Sequence, residues 1–122
     1  MVFGKELILD LSNCKNGFDN KEYLQLFIDE LLEKIEMKKV GETIFCHFPE
    51  TEFNVKNDLV GYTVLQIISL SSLSLHICDI SKTIYFNLFT CGELEEEIVI
   101  SIVNKYFEPT IINKQLLIRN AK

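Results

Sequence analysis

The sequence predicts an α+β fold, a two-layer sandwich of a mostly antiparallel sheet with two helices on one face. Three observations predict it. Two segments carry apolar residues at helical spacing, the other apolar runs are short and mostly rich in β-branched residues, and hairpin-length links join the middle runs.

Residues 6–11 (ELILDL) form a first strand, which stops at the turn formers Ser12, Asn13 and Asn16-Gly17. Asp19 and Glu22 then make a capping-box pattern, and Tyr23, Leu24, Phe27, Ile28, Leu31, Leu32 and Ile35 recur on one helical face, with Gly41 as the stop. Residues 43–48 (TIFCHF) read as a second strand closed by Pro49, and the polar residues 50–58 as a loop. Residues 62–76 (YTVLQIISLSSLSLH) hold too many β-branched and small side chains for a comfortable helix, so two strand segments meeting near residues 70–72 are expected, with a bend between them. Residues 83–91 (TIYFNLFTC) are a further strand, broken by Gly92. Residues 94–107 place Leu94, Ile98, Ile102 and Val103 at helical spacing behind the acids Glu93 and Glu95 to Glu97, which suit the positive end of a helix dipole. A last strand, residues 110–118, follows Pro109. Tyr85 and Phe89 point one way from their strand, while Ile84, Phe86 and Leu88 point the other. Two helices cover one side of a sheet, so the second side would expose an apolar patch of several hundred Å². A dimer with sheets packed face to face, in layers αββα, is therefore expected.

Composition narrows function. A chain of 122 residues is one domain's worth of polypeptide, which excludes a separate cofactor module, and 48% apolar residues suffice for a packed core. The net charge of −6 speaks against binding a phosphate backbone, and the basic residues of the tail, 114–122, are too few and scattered for a nucleic-acid patch. The acidic run at 93–97 is most simply a solvated helix start. Cys14, Cys46, Cys78 and Cys91 lie 32, 32 and 13 positions apart with no CxxC pair, so no metal site is expected. Lys5, Glu6 and Asp10 interrupt the first apolar run, which does not read as a signal peptide, and no stretch approaches the ~20 apolar residues of a membrane span. The expected address is the cytosol, with reduced thiols.

Cys91 ends a strand in Phe89-Thr90-Cys91-Gly92, and His76 lies on a strand between Leu75 and Ile77. Singly, each is more often a buried, inert side chain than a catalyst. Their joint spacing is more specific. Thr63 in Gly61-Tyr62-Thr63 stands eight residues before Ser71, His76 five after it, and Cys91 fifteen beyond His76. This pattern resembles the prokaryotic S-adenosylmethionine decarboxylases, small proenzymes that make their own pyruvoyl cofactor. The opening GKELILDLSNC, with Cys14, and Gly41-Glu42-Thr43-Ile44 also resemble that family, with a few extra residues between Pro49 and Gly61.

The resemblance implies that Ser71 attacks the carbonyl of Leu70, that the resulting ester eliminates, and that hydrolysis leaves a pyruvoyl group at position 71, the cofactor. Such chemistry needs a strained bend and a proton shuttle. It implies that Thr63 and His76 bind the cyclic intermediate and remove the proton that triggers elimination. The pyruvoyl carbonyl then forms a Schiff base with a substrate amine and draws electrons as carbon dioxide leaves. Cys91 is the implied proton donor to the carbanion. The implied substrate is S-adenosylmethionine, on the way to polyamines such as spermidine, and Phe48 or Phe53 would contact its adenine. The chain departs from the family's pattern at three places. Leu70-Ser71-Ser72 replaces Glu-Ser-His, Ile80 stands where a glutamate holds the ribose hydroxyls, next to Asp79, and Asn87 replaces an aspartate. Ser69, Ser72 and Ser74 read as ordinary strand residues. Two rivals follow from the departures: a relative that decarboxylates arginine or ornithine, and a non-cleaving pseudoenzyme that dimerises and regulates a partner.

Overall fold

The structure, a computed structural model, describes residues 3–16, 20–48 and 60–120. Among them the chain forms β1 (Phe3–Ser12), α1 (Lys21–Lys34), β2 (Ile44–Phe48), β3 (Gly61–Ile68), β4 (Ser71–Cys78), β5 (Thr83–Thr90), α2 (Glu96–Phe107) and β6 (Thr110–Asn120). The strands make one sheet in the order β2-β3-β4-β5-β1-β6. Every neighbouring pair is antiparallel. The alternation of side chains along each strand sorts them onto two faces: Ile84, Phe86 and Leu88 of β5 are buried, and Tyr85 between them is half exposed. Leu7, Leu9, Leu75 and Phe86 belong to one core with Leu24, Phe27, Ile28 and Leu31 of α1 and Val99, Ile102, Val103 and Phe107 of α2. The two helices pack against each other through an edge-to-face contact of Phe27 and Phe107, their ring centres 4.8 Å apart. Truncating Phe27 to alanine would leave a core cavity costing about 3–5 kcal/mol. The opposite face carries Ile44, Leu65, Ile67 and Tyr85, all exposed in the single chain.

Helix ends differ from the sequence reading in an instructive way. α1 starts at Asn20, whose side chain accepts from the Tyr23 amide at 3.0 Å; Asp19 lies outside the described residues, as do Pro49, Phe53 and the expected loop. The helix stops before Gly41. Glu36 takes the left-handed conformation (φ 57°), its amide donates to the Glu33 carbonyl, and the Met37 amide donates to the Leu32 carbonyl. These two bonds close the helix in a Schellman motif, normally the work of a glycine, and Met37 packs against the core as that motif prefers. α2 begins at Glu96, so its buried face is Val99, Ile102, Val103 and Phe107 rather than one starting from Leu94 and Ile98. Leu94 is buried, but ahead of the helix. Burial pushes the Cys14 thiol up to about 11, so it stays protonated and packs as an apolar side chain. Among the described residues no helix is long and apolar enough to cross a membrane.

Candidate active site

β3 and β4 are joined by the two-residue turn Ser69-Leu70, so the bend falls where the serine-rich stretch predicts it. Leu70 is left-handed (φ 58°), a conformation that costs a residue with a Cβ about 1–2 kcal/mol. Three contacts hold the turn. The Ser69 amide donates to the Lys38 carbonyl at 2.9 Å, the Cys91 amide donates to the Leu70 carbonyl at 3.0 Å, and the Ser71 hydroxyl donates to Thr90 Oγ1 at 2.7 Å. Lys38 is in place because the segment after α1 is clamped to β3. Buried Gln66 donates to the carbonyls of Val40, Gly41 and Ile67, and its own oxygen accepts from the Thr43 hydroxyl. A cleft of about 390 Å³ opens beside the turn, lined by Met37, Lys38, Leu70, Ser71, Thr90 and Glu93 among others. That volume suits a small molecule. Cys91 follows Thr90 and is exposed.

The second cluster lies at the far end of the same hairpin. Thr63 pairs with His76 across the strands, and Thr63 Oγ1 lies 3.0 Å from His76 Nδ1. The register extends this into a row, Cys46, Thr63, His76, Tyr85 and Asp10, crossing five strands on the open face. The His76 ring stacks near Tyr85, their centres 6.4 Å apart. Gly61 makes the close strand approach possible here, since a Cβ built on it would overlap the Ile77 carbonyl. Phe48 pairs with Gly61, two residues beyond Cys46 on its strand, so it shares the face of Thr63 and His76.

The structure thus brings Thr63 to His76, and the Leu70 carbonyl before Ser71 to the Cys91 amide, but it does not bring one pair to the other within a single chain. Ser71 and His76 are five residues apart in β4, about 16 Å at the rise of a strand, and an odd interval puts them on opposite faces. Thr90 is the polar side chain at Ser71 that the sequence reading missed; the β4–β5 register, which sets it across from the serine, is what reveals it. Of the divergent positions, Ile80 is exposed on the β4–β5 turn beside Asp79. Asn87 donates to Glu6 Oε2 at 3.0 Å, and Arg119 donates to the other oxygen of the same carboxylate at 2.6 Å.

Comparison with individual curated proteins gives no match. Comparison with family models gives one, S-adenosylmethionine decarboxylase, over residues 5–120. That span takes in both polar clusters and all six strands but for the first residues of β1. A six-stranded antiparallel sheet with two packed helices, a strained Leu70-Ser71 bend and a match over almost the whole sequence lead to one conclusion: the chain belongs to the S-adenosylmethionine decarboxylase family.

Proposed function

We propose that this chain is a self-processing decarboxylase of S-adenosylmethionine, in which Ser71 becomes the pyruvoyl group on which the family depends. The observation that carries the reading is the Leu70–Ser71 peptide, left-handed before the bond, with its carbonyl held by the Cys91 amide and its serine hydroxyl held by Thr90. Ser71 Oγ bonds to the Leu70 carbonyl carbon as the C–N bond breaks, and the hydroxyl proton ends on the Ser71 nitrogen. The Cys91 amide already points at the oxygen that gains charge. A base then takes the Cα proton of residue 71, the ester leaves as the Leu70 carboxylate, and water displaces the nitrogen as ammonia. His76 is the base, steered by the hydrogen bond between Thr63 and Nδ1. Because about 16 Å and a change of face separate them from Ser71 in one chain, Thr63 and His76 act on a second copy, whose docking would cover Ile44, Leu65 and Ile67. The pyruvoyl group supplies an electron sink for decarboxylation. Cys91, exposed next to the turn, returns the proton to the substrate carbon. This chemistry is that of a small-molecule enzyme, acting in the cytosol.

Mass spectrometry of the purified chain tests the reading. Incubation is expected to give residues 1–70 and 71–122, the second blocked to Edman degradation; a chain that stays whole overturns it and leaves a non-cleaving relative, as Leu70 and Ser72 on either side of Ser71 would favour. A second substrate reading rests on Ile80, exposed where the family carries an acid for the ribose. Reductive trapping with cyanoborohydride separates the two. An adduct of S-adenosylmethionine on the smaller chain supports the first, and one of arginine or ornithine the second.

A further inference from the structure

The end of β5 runs Thr90-Cys91-Gly92, and the register puts Thr90 between Ser71 on β4 and Lys5 on β1. Its side chain is 1% exposed, and a buried hydroxyl must find partners. Thr90 Oγ1 has two, both donors: the Ser71 hydroxyl at 2.7 Å and the Gly92 amide at 2.9 Å. A hydroxyl oxygen has two acceptor sites: the Gly92 amide takes one, and the Ser71 hydroxyl, as donor, takes the other. The Ser71 proton is thereby turned toward Thr90, which leaves the serine lone pairs free for another atom. We propose that Thr90 is the positioning residue for self-cleavage, its oxygen locked by the Gly92 amide so that it orients the Ser71 hydroxyl for attack on the Leu70 carbonyl. This rests on the reading of Ser71 as the cleavage residue and adds the step at which its neighbour acts. An alcohol is too weak a base to keep the proton, so Thr90 orients rather than accepts; the proton passes to the Ser71 nitrogen as the C–N bond breaks, and no further reactant is consumed. Three consecutive residues then divide the work: the Thr90 side chain holds the nucleophile, the Cys91 amide polarises the carbonyl, and the Gly92 amide holds Thr90.

The test follows processing in the full chain with and without hydroxylamine, which cleaves the ester but not the peptide. Thr90→Val keeps the shape and removes the acceptor, so it is expected to slow fragment formation about tenfold to a hundredfold, with no rescue by hydroxylamine because the ester itself does not form. Thr90→Ser keeps the hydroxyl and is expected to process within a few-fold of the wild type. Thermal midpoints are read for each variant, and Thr90→Ala replaces the valine variant if that one does not fold. Wild-type processing in the variant lacking the hydroxyl overturns the proposal, and so does hydroxylamine cleavage of it at the wild-type rate, which would move Thr90 to a later step. A Thr90→Ser chain that melts like the wild type yet processes as slowly as Thr90→Val also overturns it. A wild-type chain left whole even by hydroxylamine fails the Ser71 reading itself, whereas a wild type that cleaves beside an unaffected variant fails Thr90 alone.

Discussion

At the turn end of the β3–β4 hairpin the polar groups around Ser71 are backbone amides and a threonine hydroxyl, while at the far end they are an imidazole, a threonine and a tyrosine on the opposite face. The first set can hold a carbonyl and a hydroxyl in place, and the described residues lining the cleft beside it include no imidazole. The second has a base but no scissile peptide. In the proposed reaction these two sets of groups would have to work together although about 16 Å of strand separates them in one chain, and the exposed apolar residues Ile44, Leu65 and Ile67 share the face of the second set.

The sharpest break in this comparison comes from mixing variants. His76→Ala and Ser71→Ala chains are each expected to stay whole alone, a complete loss of processing. Expressed together, the His76→Ala chain is expected to be cut, because its intact Ser71 meets the partner's His76. Masses distinguish the two chains, and a mixture that remains whole although dimers form by gel filtration would mean that the far end does not serve the turn.

A smaller effect is expected at Leu70. Glycine reaches φ 58° without a Cβ penalty, so Leu70→Gly should raise stability by about 1 kcal/mol. Urea unfolding in a Ser71→Ala background measures that gain free of cleavage. Processing of Leu70→Gly is expected to slow severalfold, and an unchanged rate would show that strain in the turn plays no part. The smallest effect lies in the helix layer and serves as the contrast. Burial, then the hydrogen bond to Glu30, push the Tyr106 phenol up to about 12. Raised in the fold, it stabilises fully below the ordinary range near pH ~10, and this contribution is lost as pH rises through about 12. Tyr106→Phe should flatten the fall in thermal midpoint across that alkaline window and leave the processing rate alone.

Much of the fold was legible in short-range pattern. The two-residue period of residues 83–90 separated Ile84, Phe86 and Leu88 from Tyr85 and Phe89, and the structure buries the first set, while the helical period named Phe27 and Leu31, because burial repeats with the geometry of the element. The run of small and β-branched residues at 62–76 located the bend. Glu36 was not legible as a helix stop, since it is held left-handed by two backbone bonds and the seat of Met37, and no residue type announces that. Of the site, spacing picked out Ser71, His76, Cys91 and Thr63 as candidates. It did not tell which of them meet, although the odd interval from Ser71 to His76 within one strand carried a hint. Thr90 could be found only by knowing that β5 lies beside β4 in the register that sets it opposite Ser71.

By itself the sequence determined the types of element, the buried face of the first helix and the candidate side chains, because these follow from local periodicity and residue chemistry. Tertiary structure decided that Leu70 is left-handed, that the Leu70 carbonyl meets the Cys91 amide, and that Ser71 and His76 stand apart. Those facts depend on strand register and on contacts between residues distant in the chain, where a shift of one position turns a side chain to the other face of the sheet.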